Sequence, residues 1–288
     1  MASDSQAPFT PYSGNGKGLV RFVPRSDPDK IFIGEPESDS VDVGIAVRNG
    51  EEVKVAVWSG SSVLKPGSKT DQRAVIDRVL SPVSAEEVGT IRCIGLNPST
   101  ALGDPWPAPT VLPLLTQADD CGDYESELAV VLGKTAKNVS EADAMDYVLG
   151  YTACNDVSSR TYQLNQSQWC FAKGFDGSCP LGPTLVSKDI IPDPAKLQMR
   201  GLRNGEVLQE SGIDDLIFSI PKIISFLSQS TTLPAGTVII TGTPAGVGLG
   251  RKPKVTLKDG DEFNVEILPH IGTLVNVFQN EGITAAGQ

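Results

Sequence analysis

The chain has 288 residues with 40% hydrophobic and 20% charged side chains, and a formal net charge of −11 from 35 acidic and 24 basic residues. That composition fits a globular protein of one large domain, or one large and one small, and its 29 glycines and 21 prolines favour a turn-rich, strand-rich build over a helical bundle. The acidic balance argues against a nucleic-acid or anionic-membrane partner, which needs clustered Lys and Arg, and no apolar run approaches the ~18 residues that cross a bilayer.

Residues 1–17 are polar and rich in Gly, Pro and Ser, and read as a flexible arm. They hold neither a signal-peptide core nor an Arg-rich presequence, so an intracellular location, cytoplasmic or mitochondrial, is expected. Residues 18–80 read as a small strand-rich N-terminal domain. Val41–Val47 and Val53–Trp58 both alternate about an Asn49-Gly50 turn, and Asp71–Leu80 reads as a short helix broken by Ser81-Pro82. A larger domain, residues 91–285, opens with the apolar strand Ile91–Leu96. Leu128–Leu132 is continuously apolar, as in a strand buried on both faces.

Ser140 with Asp143 opens a short helix to Tyr147 in capping-box style. Lys196–Gln209 reads as a hairpin about Asn204-Gly205. Ile220–Leu227 is the strongest helical pattern, with Ile220, Ile223, Ile224 and Leu227 on one face. Three strands follow, at Thr237–Ile240, Glu262–Ile267 and Leu274–Val277. Helices are few and β-α alternation is absent, so the expected class is mainly β (α+β) and not a doubly wound sheet.

The single histidine, His270, excludes zinc sites with two or three His ligands, and no G-x-S-x-G elbow is present. The five cysteines form no C-x-x-C pair and are expected to be reduced and mostly buried. A metal, if bound, should therefore be a hard ion held by carboxylates.

Four segments carry candidate chemistry. In Asp123-Tyr124-Glu125-Ser126-Glu127-Leu128, Glu125 and Glu127 project from one face of a strand, where two carboxylates repel unless a cation lies between them. An exposed acidic edge is the plain alternative. Asp156, after another apolar stretch, would be the third oxygen ligand of a Mg²⁺ site, or would simply cap a turn. Arg160 and Gln163 trail it at the spacing of a helical turn. Lys173, among aromatic residues and glycines, would be a partly desolvated ammonium suited to an enolate oxygen, or a solvated loop lysine. Thr241–Gly248 is a Gly-rich turn able to hold a carboxylate, but it is neither a Walker loop nor a dinucleotide fingerprint.

Together, Glu125-x-Glu127-Leu128, Asn155-Asp156-Val157-Ser158, Lys173–Pro183 and Thr241–Gly248 resemble the fumarylacetoacetate hydrolase superfamily. The match continues through Leu257–Asp261 and Ile271-Gly272-Thr273-Leu274-x-Asn276, covering roughly residues 91–280. Gln168-Trp169 and Gly248–Pro253 are most similar to its eukaryotic domain-containing-protein-2 branch. The resemblance implies a mixed β-sandwich roll, a homodimer, and one Mg²⁺ or Mn²⁺ on Glu125, Glu127 and Asp156. It also implies Lys173 as the catalytic residue, with Arg160, Gln163 and Thr243 around a small 2-oxo acid substrate.

The chain departs from the family in one place. Members follow the Leu96-Asn97 position with a tyrosine and a His-x-x-Glu pair on a mobile lid. Here Asn97 runs straight into Pro98-Ser99-Thr100, as though the lid segment had been excised, and His270 is expected to be structural. Hydrolysis of an acylpyruvate needs a base to deprotonate water, whereas decarboxylation needs no water nucleophile and tautomerisation needs only a proton shuttle, which Lys173 would supply. Oxaloacetate keto–enol tautomerase or decarboxylase activity is therefore expected ahead of acylpyruvate-type C–C hydrolysis. A larger β-dicarbonyl substrate and a non-catalytic metal-binding remnant are the further alternatives.

Overall fold

The computed structural model describes residues 18–95, 97, 122–165, 167–175 and 177–278. The expected arm at 1–17 and the Pro98 side of the lid junction lie outside the described residues. No helix among the described residues is long and apolar enough to cross a membrane.

The first four strands, β1 (Val20–Pro24), β2 (Phe32–Pro36), β3 (Lys54–Trp58) and β4 (Lys69–Leu80), close into a small antiparallel barrel. Its core is Val20, Phe22, Val55, Val57, Ala74 and Ile76, together with Val43 and Ala46 from a helix. Two expectations fail here. Val41–Val47 is not a strand: α1 (Val43–Arg48) occupies it, because the Asp42 side chain caps Ile45 N–H and Val43 and Ala46 bury at helical spacing. Asn49-Gly50 is then the helix end, with Asn49 N–H on Ile45 O and Gly50 at φ 78°, and not a hairpin turn. Asp71–Leu80 is not a helix, since β4 pairs with β3 on one side and β1 on the other and so closes the barrel. Ala74 and Ile76 face inward at the two-residue period, and that burial outweighs the helical propensity of the flanking charges.

The remainder is a mixed sandwich. The strands are β5 (Ile91–Cys93), β6 (Gly122–Asp123), β7 (Ser126–Leu132), β8 (Val148–Asn155), β9 (Ser158–Ser159), β10 (Leu181–Ser187), β11 (Gln198–Arg203), β12 (Glu206–Gly212), β13 (Val238–Ile240), β14 (Glu262–Leu268) and β15 (Gly272–Val277). One sheet runs β10-β8-β7-β13-β5, with β5 parallel to β13 and its other pairs antiparallel. The second runs β12-β11-β14-β15, and β6 pairs with β9 in a short ribbon. Among the described residues, two further helices, α2 (Arg160–Asn165) and α3 (Ile220–Leu227), accompany several 3₁₀ turns. The class is mainly β, as expected.

β7 is buried along its whole length. Its Leu128, Val130 and Leu132 face packs on Met199, Phe263, Val265 and Ile267 of the second sheet. Ala129 and Val131 face the other way, into a cluster with Leu19, Ile33 and Val63 of the N-terminal region. The central sheet is thus covered on both sides, which explains the unbroken apolar run. The β11–β12 hairpin turns at Asn204 (φ 49°) and Gly205 (φ 84°), α3 spans the expected residues, and Ser140 bonds Asp143 ahead of a 3₁₀ turn at Ala144–Tyr147.

Candidate active site

Strand pairing delivers the acidic residues to one point. Ser126 of β7 lies opposite Asn155 of β8, so Glu125, entering β7, and Asp156, leaving β8, become neighbours, and Asp156 N–H donates to Glu125 O at 2.9 Å. Asn155 fixes the crossing: its Oδ1 accepts Glu125 N–H at 3.1 Å and its Nδ2 donates to Asn276 Oδ1 at 3.1 Å. Glu127 projects from the same face as Glu125, as the spacing predicts. All three carboxylates are buried, and one oxygen from each lies within 4.8 Å of the others.

Two cations meet this cluster. Arg160, opening α2, donates Nε to Asp123 Oδ2 at 2.8 Å and Nη1 to Glu125 Oε1 at 2.6 Å; Nη1 also reaches Gln163 Oε1 at 2.7 Å. Lys173 ends the 3₁₀ turn Trp169–Lys173, donating to Glu125 Oε2 at 2.8 Å and to Asp156 Oδ2. Tyr162, Phe171 and Phe175 form a ring cluster in the same segment.

The charges separate the three acids. Burial pushes Glu125 up, but Arg160 and Lys173 overcome it and hold the carboxyl below its usual value. Glu127 accepts Gly242 N–H at 2.6 Å, yet burial and the facing charges of Asp156 and Glu125 hold it well above the usual range. Asp156 rises to about 6 through burial and Glu125. Burial works against the Lys173 ammonium, but Glu125, Asp156 and Glu127 outweigh it and keep it protonated. A hard divalent cation fits this donor set: it would relieve the mutual repulsion that raises Glu127, and three carboxylate oxygens suit Mg²⁺ or Mn²⁺.

The cluster opens on a cavity of about 1190 Å³ whose wall includes Arg160, Gln163, Trp169, Lys173 and Thr243. All seven residues singled out from the sequence therefore border one space. His270 does not: it is exposed in the β14–β15 turn. The cysteines differ from expectation. Cys154 is buried, but Cys93 and Cys170 are exposed and Cys179 half-buried, because these three line the cavity.

Three further residues, which no sequence motif marks, support the site. Gln209 of β12 donates Nε2 to Thr243 Oγ1 at 2.7 Å and to Pro244 O at 2.9 Å, while its Oε1 accepts Ser126 N–H at 3.0 Å. Asn97 Nδ2 donates to Thr241 O at 2.9 Å. Buried Asp123 accepts Gly248 N–H at 2.8 Å and Leu249 N–H at 2.9 Å besides Arg160, so the Gly-rich loop and Arg160 share one anchor. A Cβ on Gly248 would lie 1.8 Å from Val255 O, which requires glycine there. Asp123 was hidden by the acidic run beside it; for Gln209 a polar residue inside a strand was the one available signal.

Residues 90–279 match the family described as fumarylacetoacetate hydrolase C-terminal. The chain belongs to this family. It is 39% identical over 298 residues to a caffeoylpyruvate hydrolase of Neonothopanus nambi, covering 95% of this chain and 96% of that relative. A mitochondrial oxaloacetate tautomerase of Xenopus laevis is 47% identical over 156 residues, 54% of this chain and 49% of that protein, so the match spans about half the relative's length. Among solved structures, a fumarylacetoacetate hydrolase from psychrophilic Exiguobacterium antarcticum superposes with a TM-score of 0.72 at 28% identity, covering 92% of this chain and 100% of that one. The fold and the enzyme superfamily are those of the fumarylacetoacetate hydrolases.

Proposed function

We propose that the protein is a divalent-metal-dependent enzyme acting on 2-oxo acids through an enolate, first as an oxaloacetate keto–enol tautomerase, with oxaloacetate decarboxylation drawing on the same stabilisation. The observation that carries this reading is the convergence of Lys173 on the buried Glu125 and Asp156 carboxylates at the cavity wall. Mg²⁺ or Mn²⁺ held by Glu125, Glu127 and Asp156 would supply Lewis-acid polarisation of the keto oxygen.

The chain's own residues supply the rest. Lys173 brings positive charge to the point where the enolate oxygen develops negative charge, inside a pocket that limits screening by water. Its Nζ, held between Glu125 and Asp156 at the cavity wall, is placed to pass a proton to or from the substrate. Arg160 holds the Glu125 carboxylate in place, and Gln163 accepts from the same Arg160 Nη1 and orients it. Thr243 Oγ1 accepts from Gln209, which leaves the hydroxyl proton for a substrate carboxylate.

A second reading is C–C hydrolysis of an acylpyruvate. The cavity volume favours it, being far larger than oxaloacetate needs, and the caffeoylpyruvate hydrolase relative matches along nearly its whole length. We read the protein as a homodimer, with residues 18–80 and 91–285 as its two domains and an excised lid after Asn97. An intracellular compartment, cytosol or mitochondrion, suits its free thiols.

Purified protein assayed with Mg²⁺, Mn²⁺ or EDTA tests the proposal. Metal-dependent loss of the enol absorbance of oxaloacetate is the expected result. Metal-dependent cleavage of a cinnamoyl-type pyruvate with oxaloacetate untouched would select the second reading. Activity on neither substrate class refutes both and leaves a metal-binding remnant.

A further inference from the structure

Two thiols beside the carboxylate cluster have no part in the proposed chemistry. The Sγ atoms of Cys154 and Cys179 lie 3.4 Å apart. Cys154 is buried on β8, directly opposite Glu127 across the β7 pairing and opposite Leu181 across the β10 pairing. Cys179, two residues before β10, is half-buried and borders the cavity. One thiol is thus open to a small solute, and its partner waits behind it.

The neighbouring contacts give the pair leverage. Ser178, next to Cys179, accepts Val157 N–H at 2.8 Å and donates its hydroxyl to Lys173 O at 2.6 Å. The Cys179 segment therefore joins the strand end that carries Asp156 to the turn that carries Lys173. A soft-metal site does not account for the pair. Among the described residues, the one group of three or more His, Cys, Asp and Glu side chains close enough to share a metal is Glu125, Glu127 and Asp156, and it includes neither thiol.

We propose that Cys154 and Cys179 form an oxidisable pair that closes to a disulfide under a peroxide-class oxidant and restrains the Lys173 segment. The Cys179 thiolate attacks the peroxide, the O–O bond breaks, one oxygen leaves as water and the other stays as a sulfenic acid. The Cys154 sulfur then attacks the sulfenic sulfur, the S–S bond forms, the S–O bond breaks, and the hydroxide leaves as water with the Cys154 proton. In sum two thiols give up two electrons and two protons, and the peroxide takes up both to become two waters. Closure needs the sulfurs to move from 3.4 Å to about 2.05 Å, a shift that the turn before β10 absorbs more readily than the paired strand β8.

The tryptic map suits a direct test, because Cys154 lies on peptide 138–160, Cys179 on 174–188, Cys170 on 161–173, and Cys93 with Cys121 on 93–134. The full chain is treated with equimolar hydrogen peroxide, capped with iodoacetamide and digested without reductant. The expected product is the 138–160/174–188 pair, released by dithiothreitol and absent from both Cys154→Ala and Cys179→Ser. Cross-links dominated by 161–173 or 93–134, or thiols that remain fully alkylated, overturn the proposal.

The coupling to Lys173 is read as the ratio of oxidised to reduced turnover within each variant. At least a tenfold drop is expected in the unsubstituted chain and none in Cys179→Ser; an equal ratio in the two overturns the coupling. This arm rests on the proposed function. A chain that cross-links as expected but turns over nothing when reduced supports the thiol pair and counts against the enzymatic reading.

Discussion

Ion pairs of nearly equal length sit in two very different media in this protein. On the N-terminal barrel, Arg73 meets Glu37 at 2.7 Å with side chains 49% and 42% exposed. At the carboxylate cluster, Arg160 meets Asp123 at 2.8 Å with side chains 6% and 1% exposed. Water screens the first pair and replaces it at little cost. The second has lost its hydration, so each charge depends on its partner, and removing one strands the other. The barrel is held by its apolar interior and its closed ladder of strands. With Asp123 the cluster gathers four carboxylates and two cations where an apolar filling would be easier to stabilise.

The contrast is most directly broken at Arg160. Arg160→Met would take the guanidinium from buried Asp123 and leave Glu125 with Lys173 alone, and about 3–5 kcal/mol of stability should be lost in urea unfolding of the metal-free protein. An unchanged midpoint would mean the cluster is no more tightly coupled than the barrel surface. Lys173→Met removes the charge that the proposed mechanism sets beside the enolate oxygen, and kcat on the preferred substrate should fall about 100- to 1000-fold with the fold intact by circular dichroism. A change confined to KM would reduce Lys173 to a binding role.

An intermediate case sharpens the comparison. Buried Asp261 accepts from Arg203 at 2.8 Å, Asn204 at 2.8 Å and Lys258 N–H at 2.7 Å. Burial raises its carboxyl, but these donors win and hold it below the ordinary 3.8. Because the folded value is lowered, the contribution is present above that ordinary value and is lost as pH falls through the folded one. Asp261→Asn should cost about 1.5 kcal/mol near neutrality and shrink the acid-side loss of melting temperature. An acid limb as steep as that of the unsubstituted chain would assign it to other groups. The smallest effect belongs to Arg73→Ala, expected to stay within about 0.5 kcal/mol of the parent in the same unfolding assay. A loss comparable to that at Arg160 would erase the distinction between the two regions.

The site was more legible in the sequence than the barrel that adjoins it. The two-residue spacing put Glu125 and Glu127 on a common face beside an apolar run, and the family resemblance joined Asp156 to them where the residues alone left a turn cap open. Helix α3 and the Asn204-Gly205 hairpin were equally plain, since each rests on local backbone preferences. Val41–Val47 and Asp71–Leu80 were misjudged because both patterns allow either element. The choice fell to the Asp42 cap and to barrel closure, which local periodicity does not encode.

By itself, then, the sequence determined the mainly β class, the family resemblance and the acidic residues that the structure gathers at one point. Tertiary structure alone decided which partners each charge would meet. It set Arg160 between Asp123 and Glu125, hung the Thr243 loop from Gln209 of the opposite sheet, and brought Cys154 against Cys179. The physical reason is range: strand periodicity and turn chemistry act over a few residues. Desolvated charges and close thiols depend on contacts between segments far apart in the chain, which exist only once the sheets have packed.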